Sequence, residues 1–391
     1  MPLARRALLF LLLPLCVSCG LFKQLDVDSP GHSVQKPSNV AVYLSVSEGS
    51  TPITDLTEQN FAVFENEQLI SPDESKLVLL DRELAAHHRT LLLVDVSSAK
   101  DEATRNKLAR AVAGFVAAVR KNQAVTVYAF DGGADLKSIG DFSKGEGGPN
   151  ELPELAGHAS KDPSRNLHGA VQNGLKELGA RLMTQQKSIR VGTLVVLTAG
   201  PDLAGRVSAE QLQQAIDASP YQMLVVAVGQ EGSFDPSALG RHGSLWAPSL
   251  AGSGPTLEEA AGKVDELMER HYLLAYCSPA RAGVRRVRVE ITRQGTEGEE
   301  RKGSIEFEFD ASGFGPGCDS STPPRFGGSA SLKEDEGKKG DDAKKPDEKA
   351  GEGKKPDGKK GSGKKEGTGK KEGDDSIVPP PNKPGYAPEP K

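Results

Sequence analysis

Three observations predict an α/β fold. Short, continuous apolar runs alternate with helical stripes through the middle of the chain. Segments of apolar–polar alternation flank that region on both sides, and a last stretch of Lys, Glu, Asp, Gly and Pro lacks the apolar residues that would offset chain entropy. Alternating strands and helices imply a largely parallel sheet with helices on both faces. The expected architecture is a doubly wound (Rossmann-like) domain flanked by N- and C-terminal β segments, which could join in one β-sandwich. A disordered C-terminal tail follows.

Residues 1–18 read as an export signal, and residues 19–38, polar and without periodicity, as a tether. An N-terminal β module is expected over residues 39–88. Its strands are VAVYLSV from Val40, FAVFEN from Phe61 and KLVLLD from Lys76, separated by turn-rich EGSTPITD and ISPDES. The α/β domain is expected over residues 89–276. TLLLVD from Thr90 is apolar throughout, as in a strand buried on both faces. A helix follows, with Leu108, Val112, Phe115 and Val119 at helical spacing. VTVYAF from Val125 is the second strand, and Leu167, Val171, Leu175, Leu178 and Leu182 mark the next helix. TLVVLT from Thr193 is the third strand. Ser208 with Gln211 forms a capping box, MLVVAV from Met223 is a fourth strand, Thr256 with Glu259 caps another helix, and YLLAY from Tyr272 is a fifth strand. Over residues 277–328, VRRVRVEI and SIEFEF carry one apolar and one polar face, as in a half-exposed antiparallel sheet able to pair with the N-terminal strands. Residues 329–391 are the tail, with GKK recurring irregularly, and read best as a flexible spacer.

The chain begins MPLARRALLFLLLPLCVSCG: two arginines, a short apolar run, then small residues before a cysteine. The run is too short to span a bilayer, which takes roughly 20 residues, and fits a cleaved signal. The small residues before Cys19 resemble the lipobox of bacterial lipoproteins, although Cys16 stands where that family has Leu. The resemblance implies that Cys19 carries acyl chains, palmitate among them, and becomes the mature N-terminus. It also implies a cell-envelope location, the outer membrane if the host is Gram-negative. The net charge of the 391 residues is −5, but the tail from Leu332 holds 16 Lys against 14 Asp plus Glu. The body is therefore net acidic, which argues against nucleic acid as a partner. Cys277 and Cys318 remain as two thiols or, as export favours, a disulfide.

In such a sheet, ligands sit at the carboxyl ends of the strands. There the chain reads DVSSA from Asp95, SRNLHGAV from Ser164 and LTAGPD from Leu197. Together with ERHYLLAY and the flanking β segments, these residues resemble the von Willebrand factor A family across residues 89–276. That family's metal-dependent adhesion site uses Asp-x-Ser-x-Ser, a distant Thr and a second Asp to offer oxygens to Mg²⁺, leaving one position for an acidic partner residue. Asp95 and Ser97 match and are the remaining weak metal candidates. Ala99 replaces the second Ser, Arg165 falls at the Thr and Ala199 at the second Asp, so the site is degenerate. An Arg165–Asp95 ion pair in place of the metal is expected, with Ser164 or Asp202 as partial compensation. Alternatively, Asp95 and Ser97 simply cap the following helix.

No GxSxG elbow, HExxH pair, Walker loop or GxGxxG fingerprint occurs, and position 97 lacks the second Asp of a haloacid-dehalogenase-like phosphatase. The seven histidines are assigned surface or turn roles. No catalytic residue and no cofactor is expected, Mg²⁺ being the residual option. The leading expectation is a non-enzymatic envelope lipoprotein that binds an unknown envelope protein. A metal-dependent adhesin with a modified site and a structural protein working through its tail are the alternatives. Trp246 and loop 234–250 are a candidate exposed patch, unless the Trp packs beneath the loop.

Overall fold

The computed structural model describes residues 24–295 and 298–327. The expected signal, the expected lipidation at Cys19 and the tail lie outside the described residues. In chain order the N-terminal part contains β1 (Asp26–Gln35), β2 (Asn39–Glu48), β3 (Thr51–Pro52), β4 (Phe61–Glu65), β5 (Gln68–Leu69), α1 (Pro72–Ser75) and β6 (Val78–Leu80). There follow β7 (Ala86–Asp95), α2 (Glu102–Val119), β8 (Ala124–Phe130), β9 (Lys137–Phe142), α3 (Pro153–Ala156), α4 (Leu167–Met183) and β10 (Ile189–Thr198). The remainder is α5 (Ala209–Asp217), β11 (Gln222–Val228), β12 (Ser244–Ala247), α6 (Gly254–Glu269), β13 (His271–Cys277), β14 (Val284–Gln294) and β15 (Glu300–Asp310).

A six-stranded sheet runs β12-β11-β10-β7-β8-β9. Its pairs are parallel except for the antiparallel edge strand β9. The apolar runs are continuous because both faces are covered. Leu92 and Val94 of β7 cluster with residues of α2 and α6, whereas Leu91 and Leu93 cluster with residues of α4 and α5. The expected stripes are the buried faces of α2 and α4, and the Ser208–Gln211 capping box opens α5.

Two antiparallel sheets complete the body. One is β1-β2-β13-β6 with β3 on β2, and the other is β15-β14-β4-β5. They share a core in which Val40, Val42 and Leu44 meet Phe61, Val63, Val287, Val289 and Ile291. The opposite face of the first sheet, through Ala41, Tyr43, Leu273 and Ala275, packs on Ala85, Ala86 and Ile189 at the amino ends of β7 and β10. The alanines let the sheet approach closely. Cys277 and Cys318 form a disulfide that ties the end of β13 to the segment after β15.

Several expectations are corrected. Asp26–Gln35 is a strand on β2, not part of a tether. It is an edge strand, mostly exposed or half-buried and bulged between Asp28 and Gly31, so it shows no apolar period. The segment read as the fifth α/β strand is β13, which pairs with β2 and β6 instead. A strand buried on both faces is apolar throughout whichever sheet it joins. The six-stranded sheet is instead filled out by β12, four residues long, and by the largely polar β9. Thr256 lies inside α6, whose N-cap is Ser253. His88 and His271 are buried rather than superficial.

Candidate binding site at the strand ends

The extended backbone of β7 delivers Asp95 to the carboxyl end of the sheet, where it is fully buried. The neighbouring strand β10 ends beside it at Thr198. The chain returning after β8 reaches the same sheet end, where Asn166 N–H donates to the Asp131 carbonyl at 2.9 Å and Arg165 is set against Asp95. Asn166 then caps α4 by accepting from Gly169 N–H at 3.2 Å.

Arg165 Nε lies 2.5 Å from Asp95 Oδ2, and both side chains are buried, 6% and 0% exposed. Its other nitrogens donate to the Pro201 carbonyl at 3.0 Å and to Ser98 Oγ at 3.2 Å. Asp95 also accepts from Ser97 N–H and Ala199 N–H, each at 2.9 Å. The carboxylate thus has a cation and two backbone donors, the arrangement a buried charge requires. Gly200 makes room for this: its φ is +150°, and a Cβ there would stand 2.8 Å from Arg165 Nη1.

The structure therefore gathers Asp95, Ser97, Arg165 and Ala199 at one locus, with Ala99 buried on the turn that follows. The expected compensating groups are committed elsewhere. Ser164 Oγ donates to Asp162 Oδ1 at 2.7 Å, a bond that with the Ser164 backbone holds the Asp162 carboxyl below its ordinary range. Asp202 accepts from His168 N–H at 3.0 Å and Gly205 N–H at 2.8 Å. Helix α2 is capped by Asp101, not by Asp95 or Ser97. Ser97 Oγ is buried without a hydrogen-bond partner among the described residues.

These residues do not fit the hard divalent cation that the resemblance implies. Such an ion wants an octahedron of oxygens. Ala99 and Ala199 supply none from their side chains, and Arg165 directs a fixed positive charge onto the carboxylate. Among the described residues no group of three or more His, Cys, Asp or Glu gathers to hold a metal.

Sequence reasoning missed three participants: the Pro201 carbonyl, Ser98, and Leu203. Leu203 is 64% exposed, with its N–H held by the Arg165 carbonyl at 2.8 Å. A carbonyl that meets a guanidinium only after two loops converge leaves no local signal, but a Leu in a Gly-, Pro- and Asp-rich loop does. Trp246 of β12 is half-buried and packs edge-on against Phe234, ring centres 5.3 Å apart, so it belongs to the sheet's core rather than to an open patch.

No protein-family model matches the chain. No curated protein matches it either. Among solved structures it is similar to proximal thread matrix protein 1 from the mussel byssus, with a TM-score of 0.34, 14% identity, and coverage of 52% of this chain and 51% of that one. A structure of the same mussel protein with a zinc-occupied MIDAS motif gives a TM-score of 0.34 at 15% identity, covering 52% and 49%. The chain spans about half the length of these structures. So loose an overlap is a likeness only.

Proposed function

We propose that this chain is a non-enzymatic, envelope-anchored lipoprotein that binds a protein partner through a von Willebrand A-like domain working without a metal. The observation that carries the reading is the Arg165 guanidinium lodged against Asp95 where a cation would sit. The order of the six-stranded sheet, with DVSSA, SRN and TAG meeting at its carboxyl ends, supports the domain assignment. In this reading the sheet is doubly wound. The other two sheets form a single β-sandwich, into whose chain the α/β body is inserted. Lipid on Cys19 holds the molecule at the envelope, in the outer membrane if the host is Gram-negative. Leu203, exposed beside the locked site, is the apolar anchor for the partner.

Calorimetric titration of Mg²⁺ and Mn²⁺ tests this. No saturable heat is expected, and a chelator should leave the melting temperature unchanged. Partner capture from envelope extracts should withstand chelator and fail in Leu203→Glu. Saturable metal binding that vanishes in Asp95→Ala overturns the metal-free reading. It would favour the adhesin alternative, to which the Ser97 hydroxyl, without a hydrogen-bond partner among the described residues, points.

A further inference from the structure

A second locus lies at the opposite side of the body, where β1, β2, the loop before β12 and the end of α6 meet. A cleft of about 630 Å³ opens there, with Gln24, Asp26, Asp28, Arg241, His242 and Arg270 in its wall. Arg270 is the informative member. Its backbone is fixed on both sides, since its N–H donates to the Glu266 carbonyl at 3.1 Å and its carbonyl accepts from Val46 N–H at 3.0 Å. Its side chain has no such anchorage: Nε is buried with no hydrogen-bond partner among the described residues. Burial pushes the guanidinium below its ordinary range, and Asp28 is the carboxylate whose charge opposes that. A desolvated guanidinium without an ion pair is costly, and an anion arriving in the cleft would relieve it.

The neighbours define that anion. Met223 N–H donates to His242 Nδ1 at 3.1 Å, so Nδ1 is the acceptor and Nε2 carries the proton. Burial holds this imidazole at about 4, so near neutral pH it is an uncharged N–H donor. Arg241 is already paired with Asp217. Asp26 spends Oδ2 on Gly49 N–H at 3.0 Å, and Asp28 is exposed at the rim. One wall therefore presents an unpaired guanidinium and a neutral donor, and the other presents two carboxylates. A simple anion would meet repulsion from the carboxylates, whereas a ligand with a phosphate at one end and an ammonium at the other satisfies both walls.

We propose that this cleft binds a phosphoethanolamine group, its phosphate on Arg270 and His242 Nε2–H and its ammonium on Asp28 and Asp26. The pocket chemistry stands independently of the proposed function. The source of the group, a lipid headgroup rather than a free solute, rests on the lipid anchor. Gln24 is in the cleft wall, and the five residues from Cys19 to Gln24 reach at most about 18 Å, which brings a membrane-anchored chain's cleft to the headgroup layer.

The test titrates the full chain with phosphoethanolamine, inorganic phosphate and ethanolamine. Saturable binding is expected for phosphoethanolamine, with phosphate alone weaker. Arg270→Gln should weaken phosphoethanolamine about tenfold or more, the usual scale for a lost charge-assisted hydrogen bond. Asp28→Asn, a mild change at an exposed edge, should remove the preference over phosphate, weakening phosphoethanolamine and strengthening phosphate, whose repulsion it relieves. Absence of binding, binding indifferent to Arg270→Gln in a variant of unchanged melting temperature, or a preference that survives Asp28→Asn overturns the assignment. In flotation with vesicles, retention on phosphatidylethanolamine over phosphatidylcholine should fall in Arg270→Gln and on addition of free phosphoethanolamine. Solute binding with no such difference on vesicles overturns the lipid source. Failure of the metal or partner experiments above leaves these titrations unaffected, so the two proposals fail separately.

Discussion

Arg165 shows how one substitution changes what a site can do. Where a Thr hydroxyl would complete a ring of oxygens, a guanidinium supplies the positive charge itself, without exchange with solvent. Removing either partner is not symmetrical. Asp95→Ala leaves Arg165 buried with a carbonyl and a hydroxyl as its acceptors among the described residues, and deprives Ser97 N–H and Ala199 N–H of theirs. The expected loss is about 3–5 kcal/mol, the scale for breaking a buried pair. Arg165→Leu leaves Asp95 with its two backbone donors, so the loss should be smaller. Urea unfolding of the two variants checks the order, and a larger loss in Arg165→Leu contradicts it. At this scale Asp95, Ser97, Ala99 and Ala199 were legible because each follows a recognisable strand at short range, and Arg165 only through the family resemblance of Asn166-Leu167 at the start of α4. Ser98 and Pro201 were not, because their roles depend on how two loops meet, whereas Leu203 left a signal, an apolar residue in a polar loop, that went unread.

At the scale of elements, periodicity was legible where one face is wet. The stripes of α2 and α4 and the two-faced strands β14 and β15 follow directly from alternation with solvent. Helix α4 adds a detail that periodicity does not specify: Gly174 faces the sheet, and a Cβ there would lie 2.9 Å from Leu93 Cδ1. The glycine sets how closely helix and sheet approach. Gly174→Leu should therefore cost about 1–3 kcal/mol through overpacking despite its better helix propensity, read as a lowered melting temperature. Strands wet on neither face, or apolar on neither, were harder. The apolar run of β13 is equally suited to either sheet, and β1 and β9 are too polar to announce themselves.

The whole molecule is organised by the five-stranded sheet, which packs on a second sheet with one face and on the α/β body with the other. At that second junction His88 Nε2 meets the Tyr43 hydroxyl at 2.8 Å, and His271 stacks on Tyr43 and meets His88 edge-on. Burial holds both imidazoles below their ordinary value, His271 at about 3, and the neighbouring charges that bear on them, Arg82, Lys187 and Arg270, are positive. The unfolded chain then binds protons that the folded chain refuses. Stability is complete above about pH 6.5 and falls as pH drops toward the folded values, by about 1.4 kcal/mol per pH unit for each such histidine. Unfolding at pH 7 and pH 5 should show the loss, and His271→Phe should reduce it. An unchanged difference would place the acid sensitivity elsewhere.

By itself the sequence determined the class of fold, the α/β body between β segments and the residue types at the strand ends. These are set by local periodicity and by the spacing of residues after strands, both carried in short windows. The tertiary structure decided which sheet each buried strand joins, that β1 is a strand at all, and what surrounds each charge. Pairing partners, and the dielectric around Arg165, Arg270 or His271, arise from segments far apart in the chain. Burial then determines whether a given charge needs a partner, as Arg165 has in Asp95 and the guanidinium of Arg270 lacks among the described residues.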